Sequence, residues 1–257
     1  MVPSPSLSSL SDLEGFPGVH MAVDIAVMTV GELEEDGTRK LMTLLVKRPD
    51  GYKAGTWTLP GRFLRKFETL SDACEICLDE KAGIRGFPSR QLLVLDDPKR
   101  DERGWTMSVG HIAPIPFAVA IAAMAGLPAM RDLAVVTDRQ IRFRNSQVNL
   151  PFDQQKTVDA AVNYLRDRYL RLPDPKGFLG PRFTMSELYQ VHMAILGKDF
   201  MTPYSFRRTF EPLLEATSEK RSETAGKPAT IYKRARRASS TPRRLERPSE
   251  SRIARDK

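Results

Sequence analysis

The stretch "PDPKGFLGP" at 173–181 holds three prolines and two glycines in nine residues. Proline lacks the amide proton that a helix or inner strand requires, and glycine gives up the most freedom when ordered. Neither a helix nor a central strand can run through such a stretch, so the chain is predicted to fold as two units separated here. Just before it, "VDAAVNYLRDRYLRL" sets Val158, Ala161, Val162, Leu165, Tyr169 and Leu172 on one helical stripe, predicting a connecting helix and linker over 154–176. That stripe either forms a dimer contact or packs inside one subunit.

The first unit, 21–153, reads as α/β. "VDIAVMTV" (23–30) and "RKLMTLLVKRP" (39–49) are strands around the polar turn "GELEEDG". "YKAGTWTLPGRFL" supplies short extended pieces. "ETLSDACEICLDEKAG" is a helix, with Thr69 as N-cap, Asp72 three residues on and Gly83 as its stop. "SRQLLVLDDP" and "WTMSVGHIAPIP" are further strands, and "IAPIPFAVAIAAMAG", broken by Pro114, Pro116 and Gly126, is buried core rather than a membrane span.

The second unit, 177–235, starts with a capping box, Thr184 with Glu187, on a helix that buries Leu188, Val191, Ile195 and Leu196 and stops at Gly197. A second helix has Thr202 as N-cap and Pro203 in its first turn. It buries Phe206, Phe210, Leu213 and Leu214 and turns Arg207 and Arg208 outward. "LEATSEKRSETAGKPATIYKR" then reads as a hairpin. Two helices and a basic hairpin are the order of a winged helix-turn-helix, whose second helix enters the DNA major groove, although many helix pairs bind nothing.

The charge is unevenly placed. The net charge is +8, yet 233–257 alone holds ten Lys/Arg against three Asp/Glu. This basic tail, taken as 236–257, is predicted to be disordered, either simply solvated or drawn to a polyanion. The first twenty residues are predicted to be flexible; they lack the pattern of a signal peptide, which predicts a cytoplasmic, membrane-free protein. Cys74 and Cys77, spaced C-x-x-C, fit a redox pair, half a zinc site or two ordinary reduced thiols. With no second ligand pair at metal spacing, and His20, His111 and His192 scattered, ordinary thiols are the expectation.

From position 62 the chain resembles a Nudix box, G-x5-E-x7-R-E-U-x-E-E-x-G-U with U bulky and apolar. Glu68, Leu78, Glu80, Gly83 and Ile84 agree; Arg62, Ile76, Cys77 and Lys81 stand where glycine, arginine and two glutamates belong. Nudix enzymes cleave pyrophosphates with divalent metal held by carboxylates of this helix. Positions 77, 80 and 81 should share one face, where a thiol and an ammonium replace two hard oxygen ligands. Beyond the box, "DDPKRDERGWTMSVGHIAPIP", "FTMSELYQVHMAILG", "FRRTFEPLLEAT" and "GKPATIYKR" resemble the Nudix-related transcriptional regulators, the NrtR family, over roughly 23–234. "FDQ" at 152–154 stands where "FDH" is common.

The resemblance implies a Nudix-like α/β/α sandwich followed by an α+β winged helix-turn-helix. It implies a repressor of NAD metabolism genes that senses ADP-ribose or a related nucleotide without hydrolysing it, needs no cofactor, and leaves a palindromic operator when the effector binds. A homodimer is implied as well. The alternatives are an active Nudix pyrophosphatase and a DNA-binding protein whose Nudix-like half is a dimerisation scaffold. The effector pocket would involve Phe63, Glu68, Glu80 and Arg103; Arg48, Arg62 and Lys81 join them because added positive charge suits a pyrophosphate. Thr202, Tyr204, Ser205, Arg207 and Arg208 would face DNA from the second helix, and Lys227, Lys233 and Arg234 would hold phosphate from the wing.

Overall fold

The computed structural model describes residues 18–32, 37–137, 140–144, 146–197, 199–222 and 228–235. Its first unit is built on strands β1 (His20–Gly31), β2 (Lys40–Lys47), β3 (Trp57–Thr58), β4 (Gly61–Phe63), β5 (Arg90–Leu95), β6 (Thr106–Pro114), β7 (Arg131–Val136), β8 (Ile141–Phe143) and β9 (Ser146–Val148). They form one mixed sheet in the order β5-β6-β1-β2-β7-β8-β9, with β3 paired to β2 and β4 to β1. β1 runs parallel to β6 and antiparallel to β2. β1 is buried from Ala22 to Gly31, on both faces, which is why its sequence is a continuous apolar run rather than an alternation.

Helices α1 (Leu70–Cys77) and α2 (Phe117–Gly126) cover one face over a core that includes Val23, Ile25, Val27, Cys74, Cys77 and Ala120. α3 (Gln155–Tyr169) covers the other, and its stripe of Val158, Ala161, Val162, Leu165 and Tyr169 is buried within the chain. Gly110 permits this close seating, because a Cβ there would meet Leu93 and Thr157 at 2.6–2.7 Å. The sandwich is thus α/β/α. Because the stripe packs inward, it does not offer a dimer surface, and α3 is part of the sandwich rather than a connector; it ends before Leu172.

The Thr69 capping box forms as expected, with Asp72 accepting from the Thr69 amide, but the last turn departs from a regular helix. Leu78–Ala82 is a π-turn, closed by left-handed Gly83 (φ 71°). Arg131 from β7 is the reason it holds: its guanidinium donates to the carbonyls of Lys81 (2.8 Å) and Glu80 (3.4 Å), end groups the helix leaves open. A side chain at position 83 would collide with that guanidinium.

The second unit comprises β10 (Phe183–Thr184), α4 (Met185–Leu196), α5 (Pro203–Phe210), β11 (Leu214–Arg221) and β12 (Ala229–Arg234), with the strands ordered β10-β12-β11. Both predicted caps are present, Thr184 with Glu187 on α4 and Thr202 on α5. Leu196, Leu213 and Leu214 are half-buried rather than core, and His192 takes a core position instead.

The breaker stretch does interrupt helix and strand, but it is not an exposed linker. Asp174, Phe178 and Leu179 are buried. The Asp174 carboxylate accepts from Tyr169 Oη (2.7 Å), the amides of Phe178 and Leu179, and Arg234 Nη1 (2.6 Å). One apolar cluster runs from Met28 and Leu45 through Leu165 and Phe178 to Val191, Phe206 and Phe210, so the two units share a core. Among the described residues no helix is long and apolar enough to cross a membrane. The predicted flexible start and basic tail fall outside the described residues, apart from 18–20.

Candidate functional site

Two adjoining clefts of about 340 and 320 Å³ open over the β3–β4 end of the sheet and share Arg48, Thr58, Leu59, Gly61 and Lys81. Each is within the range of small-molecule sites. The first also gathers Arg62, Phe63, Arg100, Asp101, Arg103, Phe152 and Gln154 over Asp24; the second adds Glu80. Of the seven residues expected there, Arg48, Arg62, Phe63, Lys81 and Arg103 line the first cleft and Glu80 the second. Glu68 lines neither.

The cations are less available than their count suggests. Arg62 is nearly buried and clamped in two bonds to Glu68 (2.9 and 3.1 Å), which also accepts from the Arg65 amide. That pairing holds the Glu68 carboxyl below its usual range. Arg103 is likewise bound to Asp101 at 2.9 and 2.7 Å, and its guanidinium lies 5.3–5.6 Å from the rings of Tyr52, Phe63 and Phe152. Arg62 and Arg103 thus line the cleft with a carboxylate already beside each guanidinium. Arg48 donates to the Tyr52 carbonyl and lies 5.5 Å over the Phe152 ring, and among the described residues neither it nor the exposed Lys81 makes an ion pair.

Beneath the cleft lies a buried polar network that the sequence reading missed. Asp24 accepts from Ser108 Oγ and Gln154 Nε2, both at 2.6 Å, and from Arg100 at 3.4 Å. Burial pushes its carboxyl upward, against those three donors. Gln154 Oε1 in turn accepts from the Leu59 amide at 3.0 Å. The one available signal was an aspartate within the otherwise apolar "AVDIAVMTV", a charge that must be compensated once its strand is central.

The donor set does not fit a divalent metal. Cys77 is fully buried and burial pushes its thiol up, away from the thiolate a metal would need. Glu80 and Lys81 are exposed on the π-turn, while Cys77 is buried at its start. Glu68 is occupied by Arg62, and no group of three His, Cys, Asp or Glu able to hold a metal occurs among the described residues. Cys74 and Cys77 are free thiols.

In the second unit α5 presents Tyr204 (77% exposed), Ser205, Arg207 and Arg208 to solvent, with Phe206 and Phe210 buried behind them. Thr202 is spent on capping: its hydroxyl accepts from the Ser205 amide and donates to Ser205 Oγ. Arg207 is bound twice to Glu211 (3.1 and 2.8 Å) in a solvent-exposed pair and reaches Tyr232 Oη; Arg208 makes no ion pair to a described residue. Lys233 pairs with Glu215 at 2.8 Å in a solvent-exposed contact, open to exchange for phosphate. Arg234, by contrast, anchors buried Asp174 and is structural. Lys227 lies outside the described residues.

The chain is similar to known proteins. Residues 176–233 match the family model described as the NrtR DNA-binding winged helix domain. An "ADPR responsive transcriptional repressor NtrR" of Acinetobacter baylyi is 29% identical over 222 residues, 85% of this chain and 83% of the relative. The crystal structure of Shewanella oneidensis NrtR complexed with a 27mer DNA superposes with a TM-score of 0.67 at 29% identity, covering 84% of this chain and 93% of that one. Residues 176–233 thus resemble an NrtR winged helix, and the chain as a whole is similar to NrtR proteins. A MutT/nudix family protein of Enterococcus faecalis (TM-score 0.66, 20% identity, 90% and 94% coverage) shares the fold. In this chain, then, the sandwich is the Nudix-like half and α4, α5 and the β11–β12 hairpin are the winged helix.

Proposed function

We propose that this protein is a transcriptional repressor of NAD metabolism genes that ADP-ribose, or a closely related nucleotide, releases from its operator. What carries the proposal is the joining in one core of a Nudix-like cleft with an outward-facing α5, in a chain similar to an ADPR responsive repressor and to an NrtR structure bound to DNA. Arg208, Ser205 and Tyr204 would meet base edges and sugars, and Lys233 a phosphate. Arg48 and Lys81 would hold the effector's phosphates, with Phe63 and Phe152 giving apolar faces to its base and sugars.

The same cleft argues for binding without turnover. Pyrophosphate cleavage in Nudix enzymes depends on metal, and the thiol of Cys77, the ammonium of Lys81 and the Arg62-bound Glu68 are poor ligands for one. No cofactor is required by the proposed role. A homodimer on a palindromic operator is proposed from the family resemblance and from two-fold symmetry. Incubation of the protein with ADP-ribose and magnesium, followed by chromatography, tests the first point. Saturable binding by calorimetry with no release of AMP is the expected result; steady AMP release would return the active pyrophosphatase.

A further inference from the structure

Phe152 and Asp153, which lead into α3, both lie in the left-handed region, at φ 57° and 52°. For residues other than glycine this conformation is costly, and it persists only where the surroundings impose it. Here Arg100 imposes it. Its side chain is 3% exposed, its Nη2 donates to the Phe152 carbonyl at 2.8 Å, and its Nε donates to the Asp153 carboxylate at 3.0 Å. The same Nη2 reaches Asp24 beneath the cleft. Gln154 fastens this point from the other side, spending its amide on Asp24 and Leu59 instead of capping α3. The Phe152 ring faces the cleft, among Arg48, Lys53 and Arg103.

The far end of α3 grips the winged helix. Arg166 Nε donates to the Ile195 carbonyl of α4 at 3.1 Å, and the Tyr169 ring meets His192 edge-on at 5.0 Å. His192 in turn packs on Phe206 and Phe210, the buried side of α5, at 4.9 and 4.6 Å. A helix of this length is a rod of roughly 22 Å, fixed at one end to the cleft and at the other to the helix that faces DNA.

We propose that Arg100 and the left-handed Phe152–Asp153 pair are the positioning residues through which a nucleotide in the cleft alters the DNA-facing helix; this rests on the effector-responsive reading above. A nucleotide that takes its place against Phe152, Arg48 and Arg103 displaces the cations now lying over that ring. The strained pair then has lower-energy backbone states within reach, and α3 carries the shift to α4 and α5 as a rigid element.

The test uses the full chain and a duplex from the promoter upstream of its own gene, with DNA affinity measured with and without saturating ADP-ribose. Arg100→Gln and Asp153→Gly are compared with wild type, Asp153→Gly because glycine occupies the left-handed region without strain. The expected result is that the ADP-ribose effect on DNA affinity falls by about tenfold in both variants, while Asp153→Gly, at a residue outside the cleft lining, keeps DNA affinity alone and ADP-ribose affinity alone each within about threefold. Thermodynamic reciprocity requires the effect of DNA on ADP-ribose affinity to fall by the same factor. Asp153→Asn, which tolerates the left-handed region and still accepts from Arg100, should keep most of the coupling. A variant too unstable to assay is replaced by Arg100→Lys, which keeps the charge and loses the two-pronged geometry. An undiminished ADP-ribose effect in these variants overturns the positioning role alone. A wild-type protein whose DNA affinity ignores ADP-ribose overturns the effector reading, and this role with it.

Discussion

His192 shows how much one side chain can report. It is wholly buried among Tyr169, Phe206 and Phe210, and among the described residues neither ring nitrogen finds a hydrogen-bond partner. Burial lowers its pKa from the ordinary 6.5 to about 3, so the folded state resists a proton that the unfolded chain accepts. Stability is then lost as pH falls from 6.5 toward 3, because the unfolded state binds more protons throughout that window. Thermal melts at several pH values should show a fall that His192→Phe flattens; an identical pH profile would refute the assignment. At the DNA face, Arg208→Ala should relax sequence preference by about 1–3 kcal/mol at the base it reads. Lys233→Ala should weaken all sequences alike and lower the salt slope by about one. Equal behaviour of the two in competition titrations would show that α5 reads no bases. In the cleft, Lys81→Glu should weaken ADP-ribose binding about tenfold by calorimetry, since a charged hydrogen bond is worth roughly 1.5–3 kcal/mol; unchanged affinity would place the phosphates elsewhere.

Among the elements, sequence patterns worked where periodicity or capping chemistry decided the outcome. Thr69 with Asp72, Thr184 with Glu187, and Thr202 with Pro203 all mark the helix starts correctly, because a cap is a local bond between neighbours in sequence. The π-turn at Leu78–Ala82 could not be read that way, since it depends on Arg131, fifty residues on. The alanine-rich "FAVAIAAMAG" of α2 has little apolar periodicity and so marks buried core rather than a helix, and the short β7–β9 strands carry no comparable signal. The residue types were legible but their partners were not: Arg62 and Arg103 in the cleft, and Arg207 and Arg234 in the winged helix, each hold a carboxylate in the fold. The Asp174 anchor is the most consequential of these, joining α3, the Pro/Gly stretch and β12. Asp174→Ala should destabilise the protein by about 3 kcal/mol, since it leaves buried donors unpaired, and chemical denaturation would measure it.

The whole molecule follows from a shared core. The Pro/Gly stretch that reads as a boundary is tied down by Asp174, Phe178 and Leu179, and one apolar cluster spans the sheet, α3 and the winged helix. A ligand event in the Nudix-like half can therefore reach α5 without a flexible joint between them. The most direct measurement is a fluorescence-anisotropy titration at fixed, stated salt. The promoter duplex upstream of the chain's own gene would be set against a scrambled duplex, with and without ADP-ribose. Specific binding that ADP-ribose reverses is the predicted result. Specific binding indifferent to ADP-ribose would contradict the effector role, and binding without sequence preference would contradict the repressor itself.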